Sequence, residues 1–372
     1  MASISLCMIV KNEEETMARC LRGVKGIVDE MIVVDTGSTD KTRQIAAVEG
    51  AKVFDFPWQE DFSAARNYSF SLAVSDYCMW LDADDVLDEE NQRRLAEWKN
   101  RLDQEQPDVV MTPYDVAFDE EGRAIFTYFR ERILRRGPLS RWQGRVHEVI
   151  TPWGKVVYGD VHIRHKKEKP HDGDRNLRIY ETMLAEGCDF SARELYYYGR
   201  ELYYHDRNEE AAAAFREFLQ RPDGWLENQL EASRQLAECY GRLGEEEQQL
   251  RVLYDSFLLD LPRAETCCML GGIYFRQKEW RKAAFWYETA LRREREQTGG
   301  FVQEDCYGYL PCIQLCVCYD RLGEYERAET CNEMAALWKP NDPAVAYNRN
   351  YFRQKKESET GNVTSESLRT SL

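Results

Sequence analysis

DYCMWLDADDVLD, residues 76–88, decides the fold of this chain. The apolar run Tyr77 to Leu81 is long enough for one buried strand and opens into Asp82, Asp84, Asp85 and Asp88. Carboxylates crowded at the end of a buried strand repel one another and are poorly solvated. Such a cluster persists most readily around a hard divalent cation. The spacing Asp82-x-Asp84 lets two carboxylates converge from a strand end on a Mg²⁺ or Mn²⁺ that also binds a diphosphate. An acidic first turn of the following helix accounts for Asp88, Glu89 and Glu90 but not for Asp82 and Asp84.

Upstream, strand and helix patterns alternate. Ser3 to Val10 is an apolar strand, followed by Lys11-Asn12-Glu13-Glu14 and a helix to about Gly23. Glu30 to Val34 is a second strand, ending in Asp35-Thr-Gly-Ser-Thr-Asp40 before a helix from Lys41 to Val48. Ala51 to Phe54 is a third, with a helix over Asp61 to Ala73, and Tyr77 to Leu81 is the fourth. This order predicts an α/β, Rossmann-like, mostly parallel sheet, whose ligands lie beyond the carboxyl ends of the strands. Asn12, Asp35, Asp82 and Asp84 all fall at that edge. Arg66 either reaches it as a bidentate phosphate ligand or is a solvated surface arginine.

The segments SLCMIVKNEE (5–14), VVDTGSTDKT (33–42), FPWQEDFSAARN (56–67) and WLDADD (80–85), in that order and spacing, closely resemble the inverting glycosyltransferases of family two, which have the GT-A fold. The match covers residues 1–165. The resemblance implies a nucleoside-diphosphate sugar donor, a UDP-sugar in the first instance, with Asp35 on its base or ribose. Asp82 would lie near the ribose and metal, and Asp84 would be the main carboxylate ligand of Mn²⁺ or Mg²⁺. Asn12 and Arg66 complete the candidate nucleotide-sugar-binding set. Asp85 stands where many relatives carry Glu, and its role is open.

A helix over Glu89 to Leu102 follows, then two runs, Asp108 to Phe118 and Ala124 to Leu134, around Asp119-Glu-Glu-Gly122. They read as a β-hairpin on the acceptor side of a cleft, which Tyr114 and Asp115 would face. Inverting transfer needs a base for the acceptor proton. Arg141-Trp-Gln-Gly-Arg-Val-His-Glu148 offers two candidates, Glu148 as base and His147 as acceptor or phosphate contact, with Trp142 to stack on a sugar. A GRVHE stretch is also frequent in repeat-bearing relatives of this type. Adjacent strand residues face opposite ways, so one of the pair is expected to leave the cleft. Strand Val156 to Ile163 runs into His162-Ile-Arg-His165. In this family a late histidine can complete the metal site, and His165 is the candidate, with His162 as alternative.

Charged residues 166–174, with Pro and Gly, read as a linker. Residues 175–352 carry amphipathic helices in which similar stretches begin at Arg207, Gly244, Lys278 and Gly323, at intervals of 37, 34 and 45 residues. These approach the 34-residue period of tetratricopeptide (TPR) repeats, whose stacked helix pairs make a groove for an extended chain. The second unit has Gln249 where the others have Ala212, Ala283 or Ala328. Residues 353–372 lack the apolar content to fold and read as a disordered tail.

The 372 residues suffice for two cores, and the net charge of −16 argues against nucleic acid or an anionic membrane as main partner. No apolar run approaches a membrane span, so a cytoplasmic location is expected. The 12 cysteines sit in apolar patterns and read as reduced core thiols, Cys312, Cys316 and Cys318 included. The expected function is a metal-dependent inverting glycosyltransferase whose repeats present a peptide or protein acceptor, with homo-oligomers possible through the repeats. A cell-envelope glycan or lipid-linked acceptor is the alternative within that class. An inactive transferase domain on an interaction scaffold lies outside it. A nucleotidyltransferase would want a Gly-rich basic loop, which KNEEE is not.

Overall fold

The computed structural model describes residues 2–118, 122–166, 173–295 and 302–369, with side chains to 357 in the last stretch. The chain divides into two compact units, Met1–Asp189 and Phe190–Leu372.

In the first unit, β1 (Ile4–Val10), β2 (Glu30–Asp35), β3 (Lys52–Asp55) and β4 (Tyr77–Trp80) alternate with α1 (Met17–Arg22), α2 (Thr42–Val48) and α3 (Phe62–Ser71). They pair in parallel in the order β3-β2-β1-β4. β1 is buried on both faces, which is why it reads as one continuous apolar run. Leu6 and Met8 pack with Met17, Leu21, Leu95 and Trp98 on one face. Cys7 joins Ile32, Phe70, Trp80 and Trp142 on the other.

Beyond β4 the sheet is mixed. After β5 (Asp85–Val86) and α4 (Glu89–Glu105) come β6 (Val109–Phe118), β7 (Ala124–Arg135), β8 (Val156–Tyr158) and β9 (Ile163–His165). β7 runs antiparallel to both β4 and β6, as the expected hairpin, whose turn residues 119–121 lie outside the described residues. β4 and β5 are joined only by residues 81–84, yet they stand at opposite ends of the path β4-β7-β6-β9-β5. A connection that short spans at most about 18 Å. This half of the sheet therefore curls round, and the acidic turn bridges its two ends. Asp88 caps α4 by accepting from Asn91 N at 3.0 Å, with Glu89 and Glu90 in the first turn.

The next helix, α5 (Arg175–Ala185), belongs with the first unit, whereas the sequence pattern groups it with the repeats. Side-chain contacts decide this. Arg145 pairs with Glu186 at 2.6 Å, and the Arg175 guanidinium lies 4.6 Å from the Phe62 ring. Of the expected linker, 167–172 lie outside the described residues.

The second unit is helical. Its successive packed pairs are α6 (Ala192–Tyr204) with α7 (Asn208–Leu219), α8 (Leu226–Leu243) with α9 (Glu246–Asp255), α10 (Ala264–Arg276) with α11 (Trp280–Leu291), and α12 (Tyr309–Leu322) with α13 (Tyr325–Trp338). Close approach within pairs depends on glycine. A Cβ on Gly199 would meet the Phe215 ring at 2.8 Å, and one on Gly271 the Tyr287 ring at 2.8 Å. Gln249 is buried like the alanines it replaces, and Gly241 makes the room, since a Cβ there would stand 2.5 Å from the Gln249 amide nitrogen. Cys312, Cys316 and Cys318 are buried free thiols of α12. The last helix, α14, runs from Pro343 to Arg369, through most of the stretch that composition reads as a tail. Val345 and Phe352 anchor its first turns in the core, and extending an established helix costs less than nucleating one.

Candidate active site

The acidic turn is built around Asp85. This residue is fully buried, and its Oδ2 accepts from Asp82 N at 3.0 Å and from Arg132 Nη1 at 3.0 Å. Its Oδ1 accepts from the Tyr114 hydroxyl at 3.0 Å and lies 3.4 Å from His165 Nδ1. His165 Nδ1 is also 3.3 Å from Asp84 Oδ1. The pairing of β5 with β9 sets Asp85 opposite His165, so residues 80 positions apart meet across the curl. One ligand atom from each of Asp84, Asp85 and His165 lies within 4.8 Å of the others. Hard carboxylate oxygens with one imidazole fit Mn²⁺ or Mg²⁺ in both chemistry and spacing. Burial draws the His165 pKa down, but the Asp84 and Asp85 carboxylates outweigh it and lift it to about 10.

His162 lies elsewhere. Its Nδ1 is 3.1 Å from Asp115 Oδ2, and with Asp115, Arg94 and Arg164 it lines a separate polar cavity of about 320 Å³. Asp115 also accepts from the Thr127 hydroxyl at 2.6 Å. Tyr114 is buried against Asp85 instead of facing a cleft.

Asp82 leads to a second cluster. Arg66, on α3, donates from Nη2 to Asp82 Oδ1 at 2.8 Å and from Nε to Glu148 Oε1 at 2.7 Å. Its guanidinium lies 4.9 Å from the Trp80 ring centroid and 4.8 Å from that of Trp142. Arg66 is thus neither a solvated surface residue nor a free phosphate fork. It is 7% exposed, and its Nε and Nη2 are committed to two carboxylates. Burial raises the Asp82 pKa, but the Arg66 and Arg132 charges win and hold it at about 2.

The segment carrying Glu148 is docked on α3. Asn67 Nδ2 donates to Trp142 O at 3.0 Å, Trp142 N donates back to Asn67 Oδ1 at 2.9 Å, and Phe62 N reaches Arg145 O at 2.8 Å. Trp142 is 2% exposed, at 5.0 Å from Trp80 in edge contact, so it packs the core where a sugar platform was expected. His147 has φ +51°, and its ring lies near-parallel to Tyr180 at 6.5 Å. Glu148 therefore turns to Arg66 while His147 turns to α5.

Asn12 ties the end of β1 to the loop after β2, and Asp35 braces that loop from within. Asp35 is 2% exposed and accepts from Ser38 N at 3.0 Å and Gly37 N at 3.2 Å. Asn12, at φ +57°, accepts from Thr39 N at 2.8 Å, and its own N donates to Ser38 Oγ at 2.8 Å.

Sequence reasoning missed Arg132. The signal was available, since FRERIL sets two arginines and a glutamate in a strand that ends apolar, and a charge there needs a partner.

Residues 5–155 match the family described as Glycosyl transferase family 2. A TPR repeat-containing protein of Synechococcus elongatus is 42% identical over 204 residues, covering 50% of this chain and 49% of that protein. The SPbeta prophage-derived glycosyltransferase SunS of Bacillus subtilis is 29% identical over 229 residues, covering 56% and 51%. The chain spans about half the length of these curated relatives. The crystal structure of S. aureus TarS 1-349 in complex with UDP-GlcNAc aligns at 14% identity with a TM-score of 0.42, covering 67% of this chain and 90% of that one. No helix among the described residues is long and apolar enough to cross a membrane.

Proposed function

We propose that this chain, whose residues 5–155 match glycosyltransferase family 2, transfers a sugar from a nucleoside-diphosphate sugar to an acceptor with inversion at the anomeric carbon. The observation that carries the reading is the shared guanidinium. Arg66 holds Asp82 and Glu148 at 2.8 and 2.7 Å, and only Ala83 separates Asp82 from Asp84 of the Asp84-Asp85-His165 cluster. This proximity supports reading Asp82 as a donor-side carboxylate, the Asp84-Asp85-His165 cluster as a cation site and Glu148 as the base.

Asp84 and His165, with Asp85 behind them, are the groups that would hold a divalent cation. Bound there, it supplies positive charge to the departing diphosphate. Glu148 takes the acceptor proton as the acceptor oxygen or other nucleophile attacks the face opposite the leaving group. Arg66 holds that carboxylate in place through its Nε, so its contribution is to position the base and Asp82. Asp35 and Asn12 shape the loops at the nucleotide end, and a UDP-sugar is the donor we favour. The helical pairs of the second unit support a peptide or protein acceptor, because stacked repeats offer a continuous surface to an extended chain.

The test is incubation of the purified protein with a panel of nucleotide sugars and Mn²⁺, following nucleoside-diphosphate release and thermal shift. We expect one or a few donors to turn over and Asp84→Ala to abolish release. Wild-type behaviour of Asp84→Ala, or no response to any donor, would refute the reading. Capture experiments with the full chain then ask whether peptides or glycans are retained.

A further inference from the structure

The geometry points to Arg132 as the residue that positions the acidic turn for cation and donor binding, acting through Asp85 and the Trp80 carbonyl; this inference rests on the proposed function. β7 carries a β-bulge at this point, since Val110 pairs with Ile133 and Met111 with Glu131, leaving Arg132 as the extra residue. A bulge re-aims a side chain, and here it coincides with an uninterrupted buried run, Glu131 to Leu134, in place of alternation.

The re-aimed guanidinium is 0% exposed and lies between two rings, 3.6 Å from Trp80 and 4.3 Å from Tyr114. One nitrogen, Nη1, makes both of its polar contacts, to Trp80 O at 3.2 Å and Asp85 Oδ2 at 3.0 Å. Those two acceptors flank residues 81–84, so a single nitrogen brackets the turn that presents Asp82 and Asp84. Asp85 passes the constraint on, with Oδ2 on the Asp82 backbone and Oδ1 beside His165.

A purely stabilising role accounts poorly for this arrangement. Asp85 and Arg132 are both 0% exposed, and a buried ion pair seldom stabilises more than a well-packed apolar pair would. Among the described residues, Arg132 Nε and Nη2 are buried without a hydrogen-bond partner, which adds a desolvation cost. What the pair does provide is a fixed separation between the end of β4 and the start of β5. Arg132 is fully buried, so it acts by placing other groups.

The experiment measures Mn²⁺ affinity of the full chain by electron paramagnetic resonance of free Mn²⁺, together with the melting temperature. Asp85→Asn keeps Arg132; Asp85→Asn with Arg132→Met removes both buried charges, so no unpaired charge opposes folding. We expect the double variant to bind Mn²⁺ at least tenfold more weakly than Asp85→Asn, although it has one positive charge fewer near the cation. Equal or tighter binding by the double variant would overturn the inference. Arg132→Lys provides an independent arm, because an ammonium keeps the charge but not the planar stack between the rings. A tenfold weaker Mn²⁺ affinity at near-native melting temperature supports positioning, and wild-type affinity overturns it. Absence of Mn²⁺ binding by the wild type would instead refute the metal-dependent reading, and this inference with it.

Discussion

Arg66 donates to Glu148 across 2.7 Å, joining α3 to a segment 82 residues further along the chain, and does so from between two tryptophan rings. The same guanidinium holds Asp82, so two acidic groups depend on one cation. Replacing Arg66 by Met should leave the largely buried Glu148 and the partly exposed Asp82 without the cation they share. We expect a loss of about 3 kcal/mol in unfolding free energy, read from denaturant melts.

That loss has a pH signature. Asp82 is held at about 2 in the folded protein, below the ordinary carboxylate value of 3.8. Its contribution is complete above the unfolded pKa and disappears as pH falls through the folded one. Wild-type protein should therefore lose this stability between about pH 4 and pH 2. In Arg66→Met, circular dichroism during acid titration should show unfolding beginning at higher pH.

Glu148→Gln should lower turnover by about 10²–10⁴-fold while leaving the thermal shift produced by the nucleotide sugar in place. His147→Ala, on a side chain directed to Tyr180, should change turnover by less than about tenfold. An inverted ranking in steady-state kinetics would move the base to His147.

His165 behaves oppositely to Asp82. Its pKa is raised to about 10 by Asp84 and Asp85 against burial, so its charge stabilises the metal-free protein fully below about pH 6.5 and ceases to do so as pH rises through 10. Cation binding must displace that proton. Calorimetry in buffers of different ionisation enthalpy should detect proton release on Mn²⁺ binding, with affinity rising from pH 6 to 9. His165→Gln should remove the proton release.

In the second unit, Gly271→Val would drive a side chain into the Tyr287 ring, where a Cβ already meets it at 2.8 Å. A destabilisation of about 1–3 kcal/mol is expected, visible in denaturant melts as earlier unfolding of the repeats. Gly199→Val should behave alike against Phe215.

Much of this architecture was legible in residue order. The β1 to β4 alternation, the hairpin, and the helix pairs all follow from periodicity, because each element buries a face whose pattern is local. The edge holding Asp35, Asp82 and Asp84 was equally legible, since a parallel sheet sends every strand end to one side. Asp88, read at the acidic start of the following helix, is the N-cap of α4. Other features needed contacts between distant segments. Trp142 was expected on a sugar and is a core residue, because its ring is claimed by Arg66, Trp80 and Phe70. α5 carries a helical pattern indistinguishable from that of the repeats, and only its contacts assign it to the first unit.

The stretch 76–88 shows both kinds of information. By itself it determined a buried strand, an acidic exit and a helix start, all of which depend on neighbours within a few positions. It left Asp85 undecided. Tertiary structure decided that Asp85 faces inward to Arg132, Tyr114 and His165, because the sheet must curl for so short a turn to join β4 to β5. A buried carboxylate persists only where its oxygens are satisfied, and those partners come from β6, β7 and β9, beyond the reach of any local pattern.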